Sequence, residues 1–273
     1  MAQTAKIQIG IVAAILALTV WLYLLPISKN TPETKSERPG GSGFQFEDVL
    51  AQTKKQYRPA QLMVINDLEK KIPTGNTDLA IFDSIGLAWD ELKQPGIAAH
   101  YFEQKALKDN NEKSYINAAY RYFDAFKLTD DSALKSEMVN KAIVSYEKVI
   151  SLNPKNLDAK TDLGVCYAEG TGTPMKGILM LREVISENPK HENAQLNLGF
   201  LSIKSQQFAK ALERFDKVLE INPARNEVRI YKAQTYLQMG DTTKAKENLK
   251  EFISKEKDEK VKQDAESFLQ SLN

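Results

Sequence analysis

The chain has little of what enzymatic chemistry usually draws on. One cysteine, Cys166, stands among 273 residues, so no disulfide forms within the chain, and the cysteine count does not mark its compartment. Two histidines, His100 and His191, leave scant material for a metal site or a histidine-based triad. Charge of one sign is not in excess: 37 basic residues face 36 acidic ones, a net +1. A nucleic-acid partner favours a basic domain, and this balance argues against one. Glycine (13) and proline (10) are sparse while charged residues reach 27%, which suits a soluble, helix-rich body. The stretch "GTGTPMKG", Gly170 to Gly177, has the glycines of a phosphate loop. Its Lys176 is followed by Gly177 and a helical pattern precedes it, so it reads as a turn. Cys166 has no histidine placed to activate it and reads as a packed thiol. His100 and His191 read as surface or boundary residues. No catalytic residue, cofactor or metal is expected, and the chain reads as a non-enzyme.

One long uncharged run is present. "IQIGIVAAILALTVWLYLLPI", Ile7 to Ile27, meets the roughly 20 apolar residues that cross a bilayer. Trp21 and Tyr23 near its end suit the membrane interface. The run exceeds a signal-peptide core of about 7–15 residues, and no small-x-small cleavage site comes after it. Residues 1–27 are therefore expected to be an uncleaved, single-pass anchor, with the membrane contact at 7–27. Counting Lys29, Lys35 and Arg38 places the body in the cytoplasm. The short positive tail ahead of the run fits a signal anchor that exports the downstream body, and export is the expected side. Residues 28–43, "SKNTPETKSERPGGSG", read as a flexible tether.

The rest is periodic. "KALERFDKVLEINP", Lys210 to Pro223, echoes "KAIVSYEKVISLNP", Lys141 to Pro154. Ala142, Gly177, Ala211 and Ala245 keep one beat, and Pro154, Pro189 and Pro223 keep it too. Each such helix comes after another that carries Ala119, Gly164, Gly199 or Ala233 at a fixed point. Small residues let two antiparallel helices approach, and aromatics fill the space beside them. A unit of this size cannot bury its apolar face alone, so units stack.

This pattern resembles the tetratricopeptide repeat, a helix–turn–helix of 34 residues. Glu192–Arg225 carries Leu198, Gly199, Ala211, Phe215, Val218 and Pro223 in register, with Ser202 where tyrosine is usual. Asn226 to about Lys255 fits through Ala233, Tyr236, Gly240, Ala245 and Leu249, and Leu157–His191 through Leu163, Gly164, Tyr167 and Pro189. Two earlier units diverge. Ile85, Gly86, Trp89, Ala98 and Phe102 fit one, with Lys105 where alanine is expected and no closing proline. Ala119, Tyr122, Ala142, Tyr146 and Pro154 fit the other, whose turn is expected to be enlarged by "LTDDSALKSEMVN". The resemblance implies an all-α solenoid of helical hairpins, a right-handed superhelix, behind the N-terminal transmembrane helix. About five units fill 79–255, a helix pair precedes them at 44–78, and a capping helix closes the array at 256–273.

The resemblance also implies a function. First-helix positions in this family line a concave face. Leu196, Phe200 and Ile203 form a second apolar stripe at i, i+4, i+7, as do Ile116, Tyr120 and Phe123. Thr161, Val165, Asn197, Ile230 and Gln234 are expected to join them on that face. The family's clamp for a C-terminal carboxylate falls on Thr161, Val165, Asn197, Glu227 and Tyr231, where only Asn197 fits, so that mode is not expected. The layout looks like bacterial single-span tetratricopeptide proteins. It implies an adaptor in the inner membrane with its repeats on the periplasmic side, binding protein or peptide and assisting envelope protein assembly. The alternative is a structural or self-associating module whose stripe is covered internally or by a second copy.

Overall fold

The computed structural model describes residues 46–72 and 78–272. The expected anchor, residues 1–27, and tether, residues 28–43, lie outside the described residues. Among the described residues no helix is long and apolar enough to cross a membrane. Thirteen α-helices and no strand occur there. They are α1 (Phe46–Lys54), α2 (Pro59–Glu69), α3 (Ala80–Glu91), α4 (Pro95–Asp109), α5 (Glu112–Leu128) and α6 (Ser132–Leu152). Then come α7 (Leu157–Gly170), α8 (Pro174–Glu187), α9 (Glu192–Lys204), α10 (Phe208–Ile221), α11 (Val228–Gln238), α12 (Thr242–Lys255) and α13 (Glu259–Ser271). The described residues up to Asn222 form one compact unit, and those from Pro223 onward belong to another.

Helix starts obey the sequence chemistry. Asn111, Asp131, Asn156, Asp241 and Asp258 accept backbone N–H groups at the first turns of α5, α6, α7, α12 and α13. Pro59, Pro95 and Pro174 occupy first helical positions, where a missing N–H costs nothing. His191 is such a cap too: its Nδ1 accepts from Ala194 N at 3.3 Å and its Nε2 lies 3.3 Å from Asp158.

In the larger unit α3–α10 pair as consecutive antiparallel hairpins, each packed on the next. Trp89, Phe102, Tyr122, Tyr146 and Phe215 are each at most 2% exposed. The register tyrosines also carry hydrogen bonds between units. Tyr122 Oη donates to Glu103 at 2.7 Å, and Tyr167 Oη donates to Glu147 at 2.8 Å. Each glutamate comes directly after the aromatic of the preceding second helix. Ser202 is too short for this reach and donates to Leu198 O at 2.7 Å in its own helix. The Asn of "Asn-Pro" ties two of the second helices back to their first: Asn153 Nδ2 donates to Glu112 at 3.1 Å and Asn222 Nδ2 to Glu192 at 3.1 Å.

One sequence expectation for the divergent units is corrected. "LTDDSALKSEMVN" does not enlarge a turn: α5 ends at Leu128 and α6 begins at Ser132. The insertion lengthens the second helix to 21 residues, because Asp131 caps it and Met138 is buried on its inner side. The first unit has no closing proline, and Asn110 ends α4 instead, in the left-handed conformation, φ +45°. Lys105 is tolerated where alanine is usual because it ion-pairs with Asp83.

The α1–α2 pair closes the first hairpin's open side. Tyr57 meets Trp89 edge-on at 6.2 Å and donates to Leu92 O at 2.9 Å. His100 is not a surface residue: it stacks on Phe46 at 3.4 Å, and burial pulls its pKa down to about 4, so the ring is neutral at pH 7. In the smaller unit, α13 packs Val261 and Ala265 against Phe252 of α12.

Candidate protein-binding face

Within the larger unit the first helices α5, α7 and α9 touch in succession, so their outward residues share one face. Tyr120 is 57% exposed there. Ile116 and Phe123 beside it, and Asn197, Phe200 and Ile203 on α9, are partly exposed. Thr161, Val165 and Leu196 are buried instead, at 8% exposure or less. Val165 packs with Leu181, Val184, Ala194 and Leu198, and Thr161 Oγ1 donates to Leu157 O at 2.8 Å. These three form the floor behind the face and offer nothing to a partner. In the smaller unit Ile230 is likewise buried, against Phe252, while Gln234 is partly exposed. The α1–α2 pair leaves Tyr120 uncovered.

Phe200 is anchored from below, 5.6 Å edge-on from the fully buried Phe215. Phe123 stacks on Phe126 at 5.5 Å and carries Lys127 Nζ over its ring at 4.3 Å. Arg121 is committed to Asp90 and to the Phe102 ring, 4.2 Å away.

Charge on this face was not anticipated from sequence. Asp124 and Asp162 stand near Tyr120 and raise the pKa of its hydroxyl, with Asp124 the largest cause. Burial raises Asp124 too. Burial pushes Asp162 up to about 6, Asp158 adds to this, and the Tyr146 hydroxyl bond and Lys127 oppose it. Cys166 lies in the same neighbourhood, fully buried; burial, with Asp162 adding, pushes its thiol up, the reverse of what a nucleophile needs.

The sign of the Asp162 linkage is definite. Its folded pKa, about 6, lies above the ordinary 3.8. Its contribution is therefore fully present below pH 3.8 and lost as pH rises through about 6. Each tenfold change in proton affinity is worth about 1.4 kcal/mol, and partial exposure screens it. Asp162→Asn, which still accepts from Tyr146, is expected to gain roughly 1–2 kcal/mol at pH 7.5 and close to nothing at pH 4. Urea unfolding of both chains at the two pH values checks this, and the shared His100 titration cancels in the difference. A pH-independent gain would contradict the assignment.

A profile of the tetratricopeptide repeat matches residues 202–263. Solved structures with a similar fold include a tetratricopeptide repeat protein from Parabacteroides merdae. It is 15% identical with a TM-score of 0.56, over 77% of this chain and 78% of that one. A thermophilic tetratricopeptide protein of Thermus thermophilus is 18% identical with a TM-score of 0.52, over 70% of this chain and 98% of that one. At such identities the likeness concerns the fold. No curated protein matches the chain. Residues 202–263 match the tetratricopeptide repeat, and the hairpins before them share the fold of tetratricopeptide proteins.

Proposed function

We propose that the chain is an adaptor that binds a protein or peptide partner on the first-helix face of residues 79–222. The observation that carries this reading is Tyr120, a large aromatic 57% exposed on a rigid helix, between the partly exposed Ile116 and Phe123. Aromatic anchors of this kind dominate binding energy at interfaces. Residues 7–27, uncharged throughout, hold the adaptor in a bacterial inner membrane, with the repeats on the periplasmic side and envelope protein assembly as the setting. The burial of Thr161, Val165 and Leu196 favours a second, narrower reading, a module whose stripe serves mainly its own packing.

Tyr120→Ala separates the two. Tyr120 is exposed, so the fold should keep its melting temperature, while partner affinity falls at least about 10-fold. Phe200→Asp is a poorer probe, because it sets a carboxylate against Phe215 and destabilises the fold by about 2 kcal/mol or more. A photo-crosslinking residue at position 120, compared with one at Val144 on α6, should give an adduct at 120 alone, in membrane pellets and on the periplasmic side. Adducts only at 144, or undiminished capture by Tyr120→Ala, would sink the adaptor reading. A chain found wholly in the soluble fraction would sink the anchor.

A further inference from the structure

The first-helix face is apolar along its middle and acidic at its sides, and this narrows its occupant. Leu87 and Tyr120 are equivalent positions of successive first helices, 53% and 57% exposed. Around Tyr120 stand Asp124 and Asp162, with Glu169 exposed further along α7. Asp124 and Asp162 make no ion pair within 4 Å among the described residues, whereas Asp83 and Asp90 are already neutralised by Lys105 and Arg121. The nearby cation, Lys127, is drawn over the Phe123 ring instead. A chain with a net charge of only +1 therefore presents, beside an exposed aromatic ring, two carboxylates that have no direct ion pair and are offset only from a distance by Lys127 and Arg121. An acidic partner would be repelled, and a neutral one would leave the carboxylates half-desolvated without a counter-charge.

Resting on the adaptor reading, we infer that the occupant is a cationic segment of a partner protein, with a lysine or arginine stem lying on Tyr120 and its charge between Asp124 and Asp162. An aromatic face next to carboxylates suits such a side chain twice over, by cation–π attraction and by ion pairing. The raised pKa of Asp162 points the same way, since an arriving cation relieves the cost that burial places on its charge.

The test is fluorescence anisotropy with the full chain in an uncharged detergent and three labelled nonapeptides. These alternate alanine with lysine, with glutamine or with glutamate, and empty micelles are subtracted. The lysine peptide should bind at least about 10-fold tighter than the other two, and more weakly as salt rises from about 50 to 300 mM. Asp124→Asn with Asp162→Asn should weaken it about 10-fold. Lys127→Gln should strengthen it several-fold, a gain that damage to the fold would not produce. Failure of the lysine peptide to bind, or equal binding by the double variant, overturns the cationic occupant. Equal binding of all three peptides, lost with Tyr120→Ala, also overturns it and leaves the adaptor reading standing. The crosslink at position 120 judges that reading separately.

Discussion

Gly177→Ala is expected to cost about 3 kcal/mol, the upper end of ordinary overpacking. That loss lowers the melting temperature by roughly 6–12 °C in a unit of this size. A methyl at Gly177 would meet backbone first. Its closest neighbour is the Gly164 carbonyl oxygen, and then come Ala168 N at 2.5 Å and Ala168 Cβ at 2.8 Å. No side-chain rotation relieves contact with a neighbouring helix's backbone, so α7 and α8 must separate. The other units carry Ala142, Ala211 and Ala245 at this register, and this one carries glycine in both helices. Its hairpin has therefore closed further than theirs. Gly164→Ala should be milder, since a methyl there lies 3.1 Å from Gly177 O and then meets the Leu181 side chain. Gly172→Ala should be near neutral, with nothing within 4 Å. Gly240→Ala also meets nothing, but φ is +79°, and strain of about 1 kcal/mol is expected. Denaturant midpoints for the four variants give the ranking. A Gly177→Ala chain as stable as Gly172→Ala would refute the close approach of α7 and α8.

The hairpin register was legible because it is written in residue size: a small residue opposite an aromatic, repeated at this spacing, marks two helices packed close together. The thirteen-residue "LTDDSALKSEMVN" misled because its charges and Asp-Asp pair look like a loop. Asp131 is in fact a cap, and Met138 is the inner face of two added helical turns. The face was half legible. Leu196 and Phe200 are both apolar and one turn apart, yet one is floor and the other is partly exposed. Periodicity marks an apolar stripe but not which of its members a neighbouring hairpin covers. The stacking that partly buries His100 was not legible because its partner, Phe46, is remote in sequence. Asp124 and Asp162 lie on different helices, and nothing in the sequence sets them apart from other helix charges.

Phe215→Ala is the larger of the core effects, an expected loss of about 4 kcal/mol. The ring is 0% exposed and supports Phe200 from below, so its removal leaves a cavity and loosens the candidate face together. Its tie to Gly199 makes the effect testable beyond mere loss. A methyl at Gly199 would lie 2.5 Å from Phe215 Cε1 and 3.0 Å from Cδ1. In the wild-type background Gly199→Ala should therefore destabilise by about 1–3 kcal/mol, despite the better helix propensity of alanine. In the Phe215→Ala background the ring is gone, and the added methyl fills part of the space it left. There Gly199→Ala should be neutral or stabilising by up to about 1 kcal/mol. The double-mutant cycle then carries a coupling of at least about 2 kcal/mol, and additive losses would refute the size complementarity on which the repeat register rests. Gly86 stands in the same relation to Phe102, with contacts of 2.6 and 2.7 Å. A cycle at that pair should have the same sign, even though the first unit is the most divergent in sequence, because it keeps the small-against-aromatic contact that closes a hairpin.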